Sequence, residues 1–245
     1  MPTSQGNRLL AALSDDARSR LAPHLELVKL QLGDAVRHVY FPTDAIISLL
    51  STMENDAIAE ISVVGYEGVV GIVLNLGGET TPTGAVVQSA GCAYRLPRQW
   101  LKAELNRHGE LQALILRYTQ CLIAQMAQTA VCNRHHTVEQ QFSRWLLLSL
   151  DRLQSNSLTI TRELLAHILG AQCDEVIEAT GNLHALGIIQ YSRDRITVLD
   201  RRNLEILSCE CYSMIKSEAD RVFPRVPFAL AQMSERTLAS ATVAA

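Results

Sequence analysis

Three groups of side chains in this chain are of types that could do chemistry. Cys132 with His135 and His136, and Cys209 with Cys211, are metal-ligand types. The two histidines are adjacent rather than four apart on a helix, and a lone Cys-x-Cys is half a site, so no metal site is predicted. Cys173 falls near a predicted helix N-terminus, where the helix dipole favours a thiolate, but Asp174 and Glu175 beside it oppose that. The third group is a contrast of charge. From Ala171 to Leu186 there is no lysine or arginine, while Asp174, Glu175 and Glu178 are acidic. Arginines stand on either side: Arg162 before, then Arg193, Arg195, Arg201 and Arg202 after. The chain has no nucleophile elbow, phosphate-binding loop or Gly-x-Gly-x-x-Gly, so enzyme activity is not expected.

The elements that must hold the acidic stretch are legible around it. Thr161 can cap a helix whose buried face is Leu164, Leu165 and Ile168. Leu169-Gly170-Ala171 makes the corner, where glycine supplies the backbone freedom that a tight turn needs. A second helix follows with Val176, Ala179, Leu183 and Leu186 inward, and Gly187 ends it. Ile188 to Tyr191 and Arg195 to Val198 are short strands around Ser192-Arg193-Asp194. These parts predict a helix-turn-helix with a β-wing.

Further upstream the texture changes twice. Asn7 to Leu21 has Leu9, Leu10, Leu13, Ala17 and Leu21 at helical spacing, with a break or cap at Ser14-Asp15-Asp16. From Leu25 to Leu96, β-branched runs at 27–30, 45–50, 59–64 and 85–88 alternate with glycines, which predicts an antiparallel roll or barrel. Helical periodicity returns after Pro97. Leu111, Ile115, Tyr118, Leu122, Gln125, Thr129 and Cys132 follow 4-3-4-3-4-3 spacing, a heptad seam expected to join two copies of the chain. A second helix, Val138 to Leu153, carries Phe142, Trp145, Leu146 and Leu150 on one face. The predicted class is therefore α+β. A sensor-type β-roll domain with N-terminal helices spans 1–108, and a dimerisation helix spans 109–134. A winged helix-turn-helix spans 137–221, and a mobile tail spans 222–245.

Bulk composition agrees with a folded protein. Of 245 residues, 48% are hydrophobic and 19% charged, and the formal net charge is −3. That balance excludes binding to nucleic acid by bulk attraction and leaves room for a local binding face. The six cysteines and the polar start from Met1 to Asn7 point to reduced thiols and a cytoplasmic protein. The longest uncharged stretch, Tyr118 to Asn133, is too short and too polar to span a membrane.

Over nearly its whole length the chain resembles the Crp/Fnr family of bacterial regulators. The order of parts carries the resemblance, together with Leu164 to Gly170, Tyr191 to Ile196, and Tyr40-Phe41-Pro42 followed by Ile46-Ile47-Ser48. It implies a homodimer that sets two recognition helices into successive major grooves of a near-palindromic double-stranded DNA site. RNA polymerase is a further candidate partner. The implied DNA-binding residues are Arg162, Gln172, Cys173, Asp174, Glu175, Glu178, Arg193 and Arg195. Cys173, Asp174 and Glu178 stand where the family typically offers arginine, glutamate and arginine, so guanine reading by a bidentate arginine is excluded on this helix. The alternative is a member with weakened or lost DNA binding that acts through protein–protein contacts.

The effector is unassigned, and no cofactor is expected. Family members that bind cyclic nucleotides use a glutamate on the ribose and an arginine on the phosphate. Here Ile72 takes the glutamate's place, and the stretch from Thr81 to Ala85 has no arginine. Burying a phosphate without a cation is very unfavourable, so cyclic AMP is not expected as ligand. Nor is an iron–sulfur cluster held near the N-terminus, because the first cysteine is Cys92. Calorimetry with millimolar cyclic AMP or cyclic GMP should give no saturable heat; a micromolar dissociation constant would contradict this alignment of the roll.

Overall fold

The computed structural model describes residues 6–54, 58–72, 83–153 and 155–222. Two short helices open the chain, α1 (Arg8–Ala11) and α2 (Asp15–Leu21). They are separate because Ser14 caps the second, its hydroxyl accepting the Ala17 N–H. Leu9, Leu10, Leu13, Ala17 and Leu21 are all buried, as their spacing predicts.

The roll is two antiparallel three-stranded sheets. In one, β6 (Gly91–Leu96) lies between β1 (Glu26–Leu30) and β2 (Val39–Pro42). In the other, β3 (Ile46–Thr52) lies between β4 (Ile58–Val64) and β5 (Thr83–Ser89). Strand β6 pairs with both β1 and β2 and was not among the strands predicted. The stretch that carries the cyclic-nucleotide comparison is only partly described. Ile72 is buried in the roll core, while residues 73–82 lie outside the described residues, as does the predicted tail beyond residue 222.

Helix α3 (Arg98–Leu105) leads into α4 (Glu110–His135), 26 residues long. Here one expectation is overturned. Of the predicted dimer seam, Leu111, Ile115, Tyr118, Gln125, Thr129 and Cys132 are buried within the single chain, and Leu122 is half-buried. Leu111, Ile115 and Tyr118 belong to the roll core. Gln125 Nε2 donates to the Val63 carbonyl at 3.4 Å, and Arg144 donates to Thr129 Oγ1 at 3.0 Å. A heptad stripe states which residues share a face, not what covers it. The more apolar stripe covers the chain's own roll from Leu111 to Gln125, then meets α5 at Thr129 and Cys209 at Cys132. The opposite stripe, with Ala113, Leu116, Gln120, Ile123, Ala127, Ala130 and Arg134 at 3-4 spacing, is solvent-exposed.

Helix α5 (Val138–Leu150) begins with Thr137 and Gln140 in a reciprocal capping box. It then buries an unbroken run, Gln141 to Leu150, because it is enclosed on all sides. One side meets the roll, since Ile46 and Val63 share a core with Phe142, Trp145 and Leu146. The winged module completes the other side: β7 (Ser157–Thr159), α6 (Arg162–Leu169), α7 (Cys173–Ala185), β8 (Ile189–Ser192), β9 (Arg195–Val198), α8 (Arg201–Leu207) and α9 (Cys211–Val222). The module's sheet runs β7-β9-β8.

A buried polar chain crosses the contact between roll and α5. Ser48 Oγ lies 2.5 Å from Glu60 Oε2 and 3.1 Å from Gln88 Oε1, and Gln88 Nε2 donates to Ser149 Oγ at 3.0 Å. One hydroxyl carries one hydrogen. If Ser48 donates to Gln88, a protonated Glu60 supplies the other bond. Burial pushes the Glu60 carboxyl up to about 7, against the Ser48 hydrogen bond and the charges of Arg144 and Arg152, which favour the carboxylate. The folded protein then holds a proton that the unfolded chain releases near pH 4.5. The stabilisation is complete below that pH and is lost as pH rises toward 7. At ~1.4 kcal/mol per pH unit the interval corresponds to roughly 3 kcal/mol. Glu60→Gln should therefore flatten the stability profile between pH 5 and 8 and raise the melting temperature at pH 8. A variant melting lower than the parent at pH 8 would show that Glu60 is held as a carboxylate.

Candidate nucleic-acid interface

The two helices of the interface form for local reasons. Thr161 Oγ1 accepts the Leu164 N–H and starts α6. Gly170, at φ 64°, ends it in the left-handed region, where any other L-residue is strained. Leu165, Ile168, Val176, Ala179 and Leu183 are buried as the spacing predicts. Leu164 and Leu186 are not: they are 41% and 63% exposed. Helix α6 rests on β4, and the Gly170 corner approaches the Ala59 side chain. The outer face of α7 is left open.

On that face the structure brings together most of the residues named from sequence. Gln172, Asp174, Glu175 and Glu178 are exposed along the first turns of α7, whereas Cys173 is half-buried against the module's core and offers less to a ligand. The acidic residues have a local reason to be there. The Gln172 N–H donates to Glu175 Oε2 at 2.8 Å, and Asp174 sits in the first turn, where the helix dipole favours negative charge. Glu175 thus serves its own helix. Ile177, 45% exposed beside Glu178, was missed; it lies off the buried spacing of Val176, Ala179 and Leu183, which is the signal that could have found it. An exposed isoleucine there suits contact with a thymine methyl.

The arginines divide into two sets. Arg162 stacks on the Tyr191 ring, 4.6 Å from its centroid, and the Tyr191 hydroxyl donates to the Ile160 carbonyl at 3.0 Å. This fixes a cation at the base of the wing. Arg193 and Asp194, both at positive φ (52° and 60°), form the two-residue tip between the paired Ser192 and Arg195. Arg193 and Arg195 are exposed, and Arg195 reaches to 3.5 Å of Ser157 Oγ. Arg202 is exposed as well. Arg201 is not available to a phosphate: it pairs with Asp151 at 2.5 Å and Glu205 at 3.0 Å and donates to the Tyr212 hydroxyl at 2.9 Å. The surface is an acidic, partly apolar helix face flanked by Arg162, Arg193 and Arg195.

Residues 140–207 match the family model of the Crp-like helix-turn-helix domain. That match covers the C-terminal helix-turn-helix, and the fold of the described residues is the one seen in solved Crp/Fnr structures. Solved structures of Crp/Fnr proteins superpose on it at low identity. A Crp/Fnr-family protein from Eubacterium rectale gives a TM-score of 0.65 at 12% identity, over 83% of this chain and 98% of that one. FixK2 from Bradyrhizobium japonicum gives 0.61 at 13%, over 76% and 98%. The c-di-GMP-responsive regulator CLP from Xanthomonas campestris gives 0.59 at 13%, over 76% and 99%. No curated protein matches the chain by sequence. The expected α+β architecture, with antiparallel sheets, a long helix and a C-terminal helix-turn-helix, is the Crp/Fnr one. Among the described residues no helix is long and apolar enough to cross a membrane.

Proposed function

We propose that this chain is a Crp/Fnr-type transcription regulator that binds a near-palindromic double-stranded DNA site as a homodimer. The observation that carries the reading is a helix-turn-helix with an exposed α7 and exposed arginines on the neighbouring elements, Arg162 of α6 stacked on Tyr191 and Arg193 and Arg195 of the wing. Arg162, Arg193 and Arg195 hold phosphates and set orientation, while Gln172, Asp174 and Ile177 face base edges. Glutamine can pair with adenine and a carboxylate can accept from cytosine N4. The roll senses an effector other than a cyclic nucleotide, in keeping with Ile72 in the core. A protein rather than DNA as the partner of α7 is the competing reading, favoured by the exposed Asp174 and Glu178. Salt dependence separates the two. Arg193→Ala with Arg195→Ala should weaken binding to every DNA fragment and lower the salt slope by roughly 0.9 for each phosphate no longer neutralised. An unchanged slope would remove the wing from the interface.

The dimer in this reading uses the exposed stripe of α4. Leu116 and Ile123 are 60% and 62% exposed, with Ala127 and Ala130 continuing the heptad and Val131 beside it. Two such stripes packed together form a short coiled coil with small residues at close approach. Leu116→Glu with Ile123→Glu should raise the dimer dissociation constant by at least about a hundredfold, and sedimentation velocity should show a folded monomer. A dimer that survives would place the interface elsewhere.

A further inference from the structure

The end of α4 and the start of α9 meet over sulfur. Cys132, Cys209 and Cys211 form a buried cluster of their own, apart from the two hydrophobic cores. His136, one helical turn after Cys132, closes the group. The four ligand atoms lie within 4.8 Å of one another. Cys132 Sγ is 3.5 Å from Cys209 Sγ, and Cys211 Sγ is 3.5 Å from His136 Nδ1. Zinc–sulfur bonds of about 2.3 Å in a tetrahedron place sulfurs about 3.8 Å apart, and a nitrogen ligand at about 2.0 Å sits slightly closer to them. We infer that Cys132, His136, Cys209 and Cys211 form a structural site for one zinc-type divalent ion, a Cys₃His tetrahedron.

The surroundings match what such a site needs. His136 Nε2 lies 3.3 Å from Glu210 Oε2, so a carboxylate orients the imidazole and presents Nδ1 to the ion. Gln128 Nε2 donates to Cys211 Sγ at 3.1 Å, the kind of bond that stabilises a coordinated thiolate. Cys211 is the first residue of α9, where the helix dipole favours negative charge. All four ligands being protein groups, no position is left for water or substrate, which makes the site structural rather than catalytic. Three thiolates in a compact tetrahedron select a soft ion of zinc type over magnesium or calcium.

The consequence for the fold is specific. The long helix that carries the exposed stripe is tied at its C-terminus to the last helix of the winged module, 77 residues apart between Cys132 and Cys209. Metal binding would therefore set how α4 and α9 meet. Sequence spacing conceals the site, because His135 and His136 read as a pair. Only His136 lies at i+4 from Cys132, and the Cys-x-Cys half arrives from far along the chain.

The test uses the reduced, full-length protein. Elemental analysis after gel filtration should find about one zinc ion per chain, and titration of the stripped protein with cobalt(II) should develop tetrahedral thiolate–cobalt absorption saturating at about one equivalent. Cys209→Ser with Cys211→Ser should abolish that absorption. Glu210 is exposed, so Glu210→Gln should fold normally and weaken cobalt affinity by about tenfold or more. His135→Ala should leave affinity unchanged. Absence of thiolate–cobalt absorption in reduced protein would overturn the site, as would a Glu210→Gln variant of parental affinity. Isolation of a Cys132–Cys209 disulfide as the only state of the cluster would overturn it in favour of a redox pair.

Discussion

Arg152, just after α5, pairs with Glu67 of the roll at 2.7 Å, and both side chains are nearly sealed from solvent. Two charges leave water at this joint, and either one alone would be strongly destabilising. The joint is tight because the loop that carries Glu67 is glycine-rich for steric reasons. A Cβ on Gly65 would sit 2.8 Å from the Arg152 side chain, and one on Gly68 would overlap the Tyr118 hydroxyl of α4. One loop of the roll thereby touches the long helix and the entrance to the winged module together. With the Ser48–Glu60–Gln88–Ser149 chain beside it and α6 resting on β4, this contact helps set where the helix-turn-helix sits relative to the roll.

How much of this was legible in the sequence follows from distance along the chain. The Thr161 cap, the Gly170 corner, the buried spacing Val176-Ala179-Leu183 and the wing around Arg193 and Asp194 are local features, and the structure places them as their residue types require. What failed were inferences about partners. The apolar stripe from Leu111 to Cys132 fits a seam with a second copy, yet it faces the chain's own roll, α5 and Cys209, because periodicity is silent about what covers a face. Leu164 and Leu186 fit the helical spacing and are nonetheless exposed. The roll–α5 network and the Cys132–His136–Cys209–Cys211 group join segments 60 or more residues apart, and no local pattern announces them.

The acidic helix α7 illustrates why charge counting along a sequence misleads. Asp174 and Glu175 occupy the first turn of α7, where negative charge stabilises the helix, and Glu175 closes its own cap. The module's exposed cations stand on α6 and the wing instead, and one sequence candidate, Arg201, is consumed by Asp151 and Glu205. A surface of this kind takes its affinity from the rim and its selectivity from few base contacts.

The central proposal is that this chain recognises DNA through the wing and the outer face of α7. The most direct measurement is selection of genomic fragments by the purified protein at low salt, followed by footprinting of those retained. The account predicts enrichment of sequences with two half-sites about one helical turn apart, about 10 base pairs centre to centre, each protected on the same face of the duplex. Retention of no fragment even at low salt, where phosphate contacts are strongest, would contradict it.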